Sequence, residues 1–185
     1  AITRLGTVTS GTFNGSIGTS ATFPSGTIVG HHYRNDTTNY NFNGASKTNA
    51  NYFVFDYTLK SDNPNIILIV NIQCFIQIAA STVGAAHFVT SAKNKTGGQT
   101  THQEIHDFSA NMARIYQTSV ATQLHCDMSG ISTKSLSTIL GGSGVTTAGT
   151  EITIGLGLYT SGSISTARLN EYGLGSSFLL LEARP

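Results

Sequence analysis

The stretch NIILIVNIQCFIQI, residues 65–78, constrains the fold more than any other part of the chain. Taken two residues at a time, Ile66, Leu68, Val70, Ile72, Cys74, Ile76 and Ile78 share one parity, and all are apolar. The opposite parity carries Ile67, Ile69, Asn71, Gln73, Phe75 and Gln77. Side chains of a strand alternate between its faces, so this run reads as a strand with one dry face and one mixed face. It is rich in β-branched residues and free of Gly and Pro, which predicts a place inside a sheet rather than at its edge. Asp62-Asn63-Pro64 ahead of it is a turn signal, because Pro supplies no ladder donor.

Shorter apolar runs supply its partners. Residues 27–33, TIVGHHY, read as a strand, as do residues 52–59, where Phe53, Phe55, Tyr57 and Leu59 share a face. A short strand is expected at 86–89. Residues 151–160 alternate cleanly, with Ile152, Ile154, Leu156 and Leu158 on one side, and residues 177–183, SFLLLEA, close the chain. Between them lie polar connections. Residues 34–51 are rich in Asn, and Asn43-Gly44 suits a tight hairpin because both residues tolerate positive φ. Residues 93–101 read as a loop or hairpin tip, 141–144 as a turn and 161–165 as a loop. The segment 105–120 fits a helix through Phe108, Met112 and Ile115, or a loop followed by a strand at 113–120; the strand is the expectation. Residues 124–140 read as one or two further strands. Crossover helices are missing, so the chain predicts an all-β, antiparallel β-sandwich, with a jelly roll as its specific form, over residues 26–185.

Charged residues make up 10% of the chain, against about 25% in an ordinary globular protein. Hydroxyls and amides must therefore keep the surface wet, as in secreted, cell-surface and virion β-proteins. The ten Lys and Arg are scattered and the net charge is +1, which argues against nucleic-acid binding. No apolar run reaches the roughly 18 residues that would insert into a membrane. The opening AITRLGTVTS has no apolar signal-peptide core. Of the two cysteines, Cys74 has the inward parity of the long strand; a disulfide to Cys126 is allowed, but one pair is no disulfide framework.

His102, Glu104 and His106 form the one metal-like pattern, since alternate strand residues would share a face. The spacing is not H-E-x-x-H, and a solvated polar strand is the preferred reading, so neither metal nor cofactor is expected. His31 and His32 would point to opposite faces. No nucleophile elbow, phosphate-binding loop or dinucleotide fingerprint occurs, and the few carboxylates single out no acid–base pair. The expectation is a non-enzyme. Tyr33, Tyr40, Phe42 and Tyr52, set among Asn and Thr, are candidates to line a glycan-binding surface by stacking on sugar rings, against a preferred reading of core packing.

Residues 1–25 are unlike the rest: Gly, Ser and Thr with single apolar residues at Val8, Phe13, Ile17 and Phe23. Such a segment buries too little to order itself alone. It reads as a flexible linker or, as the regular spacing of its Val, Phe and Ile favours, as an extended stem or attachment segment whose apolar residues meet their equivalents in other copies of the chain.

The residues Phe23, Pro24, Gly26, Thr27 and Ile28, then Pro64 with Ile66–Ile72, then Ser177, Leu179 and Glu182 carry a family resemblance. The chain resembles the C-terminal part of tailed-phage fibres and related virion proteins, particularly those of marine phages. That resemblance implies a Gly/Ser/Thr-rich stem followed by a β-sandwich head, usually as a homotrimer. It implies a bacteriophage virion structural protein: a tail fibre, head fibre or capsid decoration, assembled in the host cytoplasm. Its partners would be other virion proteins and, in host attachment, a host-surface glycan. A secreted or surface carbohydrate-binding sandwich acting alone is the alternative.

Overall fold

The computed structural model describes residues 24–47, 52–108, 113–115, 120–140 and 146–185. Most of these residues lie in strands. The elements are β1 (Ile28–Asp36), β2 (Tyr40–Asn41), β3 (Tyr52–Thr58), β4 (Asn65–Ile78), β5 (Gly84–Asn94), β6 (Gln103–Asp107), β7 (Ala113–Ile115), β8 (Thr122–Ser135), α1 (Leu136–Leu140), β9 (Glu151–Gly162), β10 (Ile164–Leu169) and β11 (Ser176–Ala183). A 3-10 turn, Glu171–Gly173, separates the last two strands.

All pairings are antiparallel, and the described strands form two sheets. In one, β4 pairs with β8 along its full length; its other side is shared end to end by β11 and β10, which in turn pair with β1 and β2. In the other, β5 pairs with β9 along its length, then β9 with β3; the far side of β5 is shared by β6 and β7. If each shared side counts as one position, the orders are β1-β11-β4-β8 and β3-β9-β5-β6. This is the jelly-roll arrangement. The chain crosses from one sheet to the other after β2, β3, β4, β7, β8 and β9, so nearly every ladder joins residues far apart in sequence.

The core lies between the sheets. From β4 it takes Ile66, Leu68, Val70, Ile72, Ile76 and Ile78, all fully buried. From the facing sheet come Phe88, Ile152, Ile154, Leu156 and Leu158, and from β3 Phe53, Phe55 and Tyr57. Each group shares one parity, as period-two reading requires.

A buried carboxylate ties the two sheets together. Glu182 on β11 is fully enclosed and accepts hydrogen bonds from Tyr57 Oη (2.8 Å), the Lys60 amide (2.9 Å), the Ser61 amide (2.7 Å) and Ser61 Oγ (2.7 Å). Burial, then the bond to Glu182, pushes the Tyr57 phenol well above its ordinary pKa. Gly30 on β1 lies opposite Glu182, and a Cβ there would overlap the Tyr57 hydroxyl. Glycine is thus required by close approach rather than by φ.

Several local expectations are corrected. The expected strand at 86–89 is only part of β5, which runs from Gly84 to Asn94. Residues 161–165 are not a loop: β9 extends to Gly162, whose positive φ of 73° turns the chain directly into β10. β10 was not visible as a strand because Ile164-Ser-Thr-Ala-Arg-Leu169 has no clean alternation. Residues 124–140 are one strand followed by the short helix α1, whose Leu136, Ile139 and Leu140 face the core at helical spacing. Asn43-Gly44 does form a turn, with Gly44 at φ 69°, but it closes no hairpin between neighbours: β2 pairs with β10. Of the segment 105–120, β6 and β7 are strand. The 141–144 turn and residues 1–23, with Val8, Phe13, Ile17 and Phe23, lie outside the described residues.

Removing the Glu182 carboxylate strands several buried donors at once, each worth about 1–3 kcal/mol when unsatisfied. Glu182→Ala is therefore expected to destabilise the fold by on the order of 3 kcal/mol or more, read as a lower urea midpoint at unchanged slope. A shift below about 1 kcal/mol would show that the sheets do not rely on this tie.

Candidate interaction surface

The outer faces of the two sheets differ in chemistry. On the β4 sheet, strand register sets side chains in rows. One row is Tyr33, Leu179, Ile69, Ile131; the next is His31, Leu181, Ile67, Thr133; a third is Asn35, Ser177, Asn71, Ser129. None of these residues is Asp, Glu, Lys or Arg. The ends of the first row stand far out, with Tyr33 61% and Ile131 66% exposed, while Leu179, Ile69, Leu181 and Ile67 are half-buried by one another. Cross-strand neighbours shield each other in this way, and the result is an apolar strip over Tyr33, Leu179, Leu181, Ile67, Ile69 and Ile131 within a wider uncharged face.

Towards the other end of β4 the same face turns polar. Phe75 packs on His125 (ring centroids 4.7 Å), and His125 on Tyr172 (5.6 Å). A cavity of about 360 Å³ opens here, lined by Gln73, Cys74, His125, Cys126, Asp127, Glu171 and Leu174. Arg168 bonds Glu171 at 2.5 Å.

The outer face of the β5 sheet is a network of ion pairs and rings. Lys47 Nζ bridges Asp107 (2.7 Å) and Glu104 (2.8 Å), and Tyr159 Oη donates to Asp107 (3.1 Å). The bonds it donates to Asp107 and Glu104 push the Lys47 ammonium above its ordinary pKa. Lys95 Nζ bridges Asp56 (2.6 Å) and Glu151 (3.1 Å), while Thr153 Oγ1 donates to Asp56 (2.7 Å). Chiefly the Lys95 bond holds Asp56 below the usual carboxylate range. His87 stacks on Tyr159 at 4.6 Å and contacts Ser161 Oγ at 2.7 Å. A shallow cavity of about 530 Å³ lies between Asp56, Lys93, Lys95, Gln99 and Thr153. Asp107, Glu104, Asp56 and Glu151 are each held by a lysine, so these carboxylates serve as counter-ions.

The three residues of the metal-like pattern separate. A register shift between Thr90 and Ser91 places a bulge at Ile105, so Glu104 and His106 do not share a face as plain alternation predicts. Glu104 joins Lys47, His106 packs edge-on against Phe108, and His102 Nδ1 meets Ser91 Oγ at 3.2 Å. Among the described residues, no group of three or more His, Cys, Asp or Glu is placed to hold a metal ion. His31 faces out, while His32 turns inward and stacks on Phe55 at 4.6 Å.

The four aromatic candidates also part. Phe42 is buried in the core, Tyr40 and Tyr52 pack edge-to-face on each other with ring centroids 5.2 Å apart beside it, and Tyr40 Oη bonds Asp36 at 3.2 Å. Tyr33 alone stands in solvent, on the apolar strip of the other sheet. The strip itself was half visible in sequence: Ile67 and Ile69 break the polar parity of β4, which is the mark of a second apolar face. The rest of each row needed the register.

No protein-family model and no curated protein sequence matches the chain. No described helix is long and apolar enough to cross a membrane.

Burial, with a smaller push from Lys93, lowers the His102 pKa to about 4. The folded chain thus holds this ring neutral while the unfolded chain, near the ordinary 6.5, takes up a proton. Its stability contribution is present above pH 6.5 and is lost as pH falls towards about 4. Imidazole NMR shifts of His102 should stay those of the neutral ring down to about pH 5; a midpoint near 6.5 would contradict the packing described for this ring.

Proposed function

We propose that this chain is a non-enzymatic structural protein of a bacteriophage virion, a tail fibre, head fibre or capsid decoration that projects from the particle as a homotrimer and serves in host attachment. The uncharged apolar strip on the outer face of the β4 sheet carries this reading. A strip of that kind left in water is a liability; covered by another copy, it becomes an interface. The absence of charge in its rows suits self-association, where like charges would meet their own kind. The jelly roll accords with it, since viral capsid domains use that fold, but so do lectins and cupins, and fold alone assigns no function. The resemblance of 23–28, of the Pro64 turn and of the last strand to phage fibre heads supports the trimer. The lysine-held carboxylates of the opposite face support a role other than catalysis.

A carbohydrate-binding module acting alone is the competing reading. Of its four proposed aromatic contacts only Tyr33 is well exposed, and Tyr33 belongs to the strip.

Solution mass separates the two. Sedimentation equilibrium should give three times the chain mass of 19.5 kDa for the whole protein. Tyr33→Asp with Ile131→Asp, both at exposed positions, should leave the circular dichroism spectrum unchanged and shift the population to monomer. A wild-type monomer at micromolar concentration would overturn the reading. Deleting residues 1–25 should leave the sandwich folded but weaken the trimer or its incorporation into particles; if trimer mass and incorporation both persist, that stretch is only a linker.

A further inference from the structure

Cys74 and Cys126 are register partners on β4 and β8, directly opposite each other and on one side of the sheet. Opposed residues of an antiparallel ladder have Cα atoms about 4.5 or 5.5 Å apart, depending on the hydrogen-bonding position. A disulfide accepts Cα separations of about 4.4–6.8 Å, so either position suits one without backbone movement. Both thiols are free, and Cys126 Sγ lies 3.7 Å from the Cys74 carbonyl oxygen. Cys74 is buried at 4% exposure, while Cys126 is half-buried on a strand whose one partner, among the described residues, is β4.

We infer that Cys74 and Cys126 are a modification site: a dithiol that small-molecule disulfides such as oxidised glutathione convert to a cross-strand disulfide, pinning the edge strand β8 to the central strand β4. The more exposed Cys126 is the attacking group. Its thiolate attacks one sulfur of oxidised glutathione; that S–S bond breaks, and one glutathione leaves as a thiolate and is protonated. The Cys74 thiol then gives up its proton to solvent and its sulfur attacks Cys126 Sγ, expelling the second glutathione. Two protein thiols are oxidised, and one oxidised glutathione becomes two reduced ones. The asymmetry of the pair favours this order. The bond from the Cys74 thiol holds Cys126 below the usual thiol pKa, and the same bond, with burial, pushes Cys74 up. The thiolate is the nucleophile in such exchange, so Cys126 begins and Cys74 resolves.

This chemistry does not depend on the virion reading. Under it, the bond would form after a particle leaves a reducing cytoplasm.

The test is incubation of the folded, reduced protein with excess oxidised glutathione, followed by alkylation and mass measurement. Wild type should lose both reactive thiols and the mass of two hydrogen atoms, with no glutathione attached, and peptide mapping should join the segments carrying residues 74 and 126. Cys74→Ser should stop as a mixed disulfide on Cys126. Cys126→Ser should stay unmodified while folded and react once unfolded in urea. The oxidised wild type should show a raised urea midpoint, reversed by reductant. Two alkylated thiols in folded wild type, a stable glutathione adduct on it, or a bond between two chains would each overturn the inference.

Discussion

The long central strand β4 is the constraint on which the rest of the molecule depends. It is flanked by β8 on one side and by β11 and β10 on the other, so its amides and carbonyls find partners over nearly its whole length. Its inward side chains are the floor of the core. A strand held this way cannot slip by one residue, because a slip would carry six fully buried aliphatic side chains to the opposite face. Two shorter strands placed end to end can serve as one only because β4 spans both of them.

The second sheet does not rest on the first by apolar packing alone. Glu182 lies on the strand that pairs with β4, yet its donors belong to β3 and the residues just after it. A carboxylate so enclosed is tolerated because four donors, from Tyr57, Lys60 and Ser61, converge on it. Apolar contact sets the spacing of the sheets, and the directional bonds choose one offset between them. The glycine at position 30 follows from the same tie, since the Tyr57 hydroxyl occupies the place of its side chain.

The two outer faces divide the remaining work. One is furnished with lysine bridges that fasten Lys47 and, through Lys95, the turn after β5 onto their neighbours. The other is left nearly without charge over its first three rows and ends beside the paired cysteines. Both properties are produced by register, which joins residues from four separate parts of the chain into a single row.

Much of the architecture was legible in the residues themselves. The period-two pattern at 65–78, 52–59 and 151–160 is dictated by which face of a strand meets water, and no neighbour is needed to read it. Proline at 64 and the scarcity of helical spacing belong to the same local physics. What parity cannot say is which strand lies beside which. Nothing local in Cys74 and Cys126 makes them opposite, and nothing in Tyr33, Leu179, Ile69 and Ile131 makes them one row; ladders between distant segments do. The bulge at Ile105 undid the shared face of His102, Glu104 and His106, because one extra residue in a pairing reverses parity downstream. For Phe42 the residues left a glycan-facing aromatic open beside the preferred reading of core packing, and the structure places its ring in the core. The sequence by itself determined an all-β sandwich and the identity of its central strand, because alternation is a property of a single chain segment. Tertiary structure completed the apolar strip that Ile67 and Ile69 only begin, and alone decided the buried Glu182 tie and the opposition of Cys74 and Cys126, because each is made by register and inter-sheet contact between residues that the sequence keeps apart.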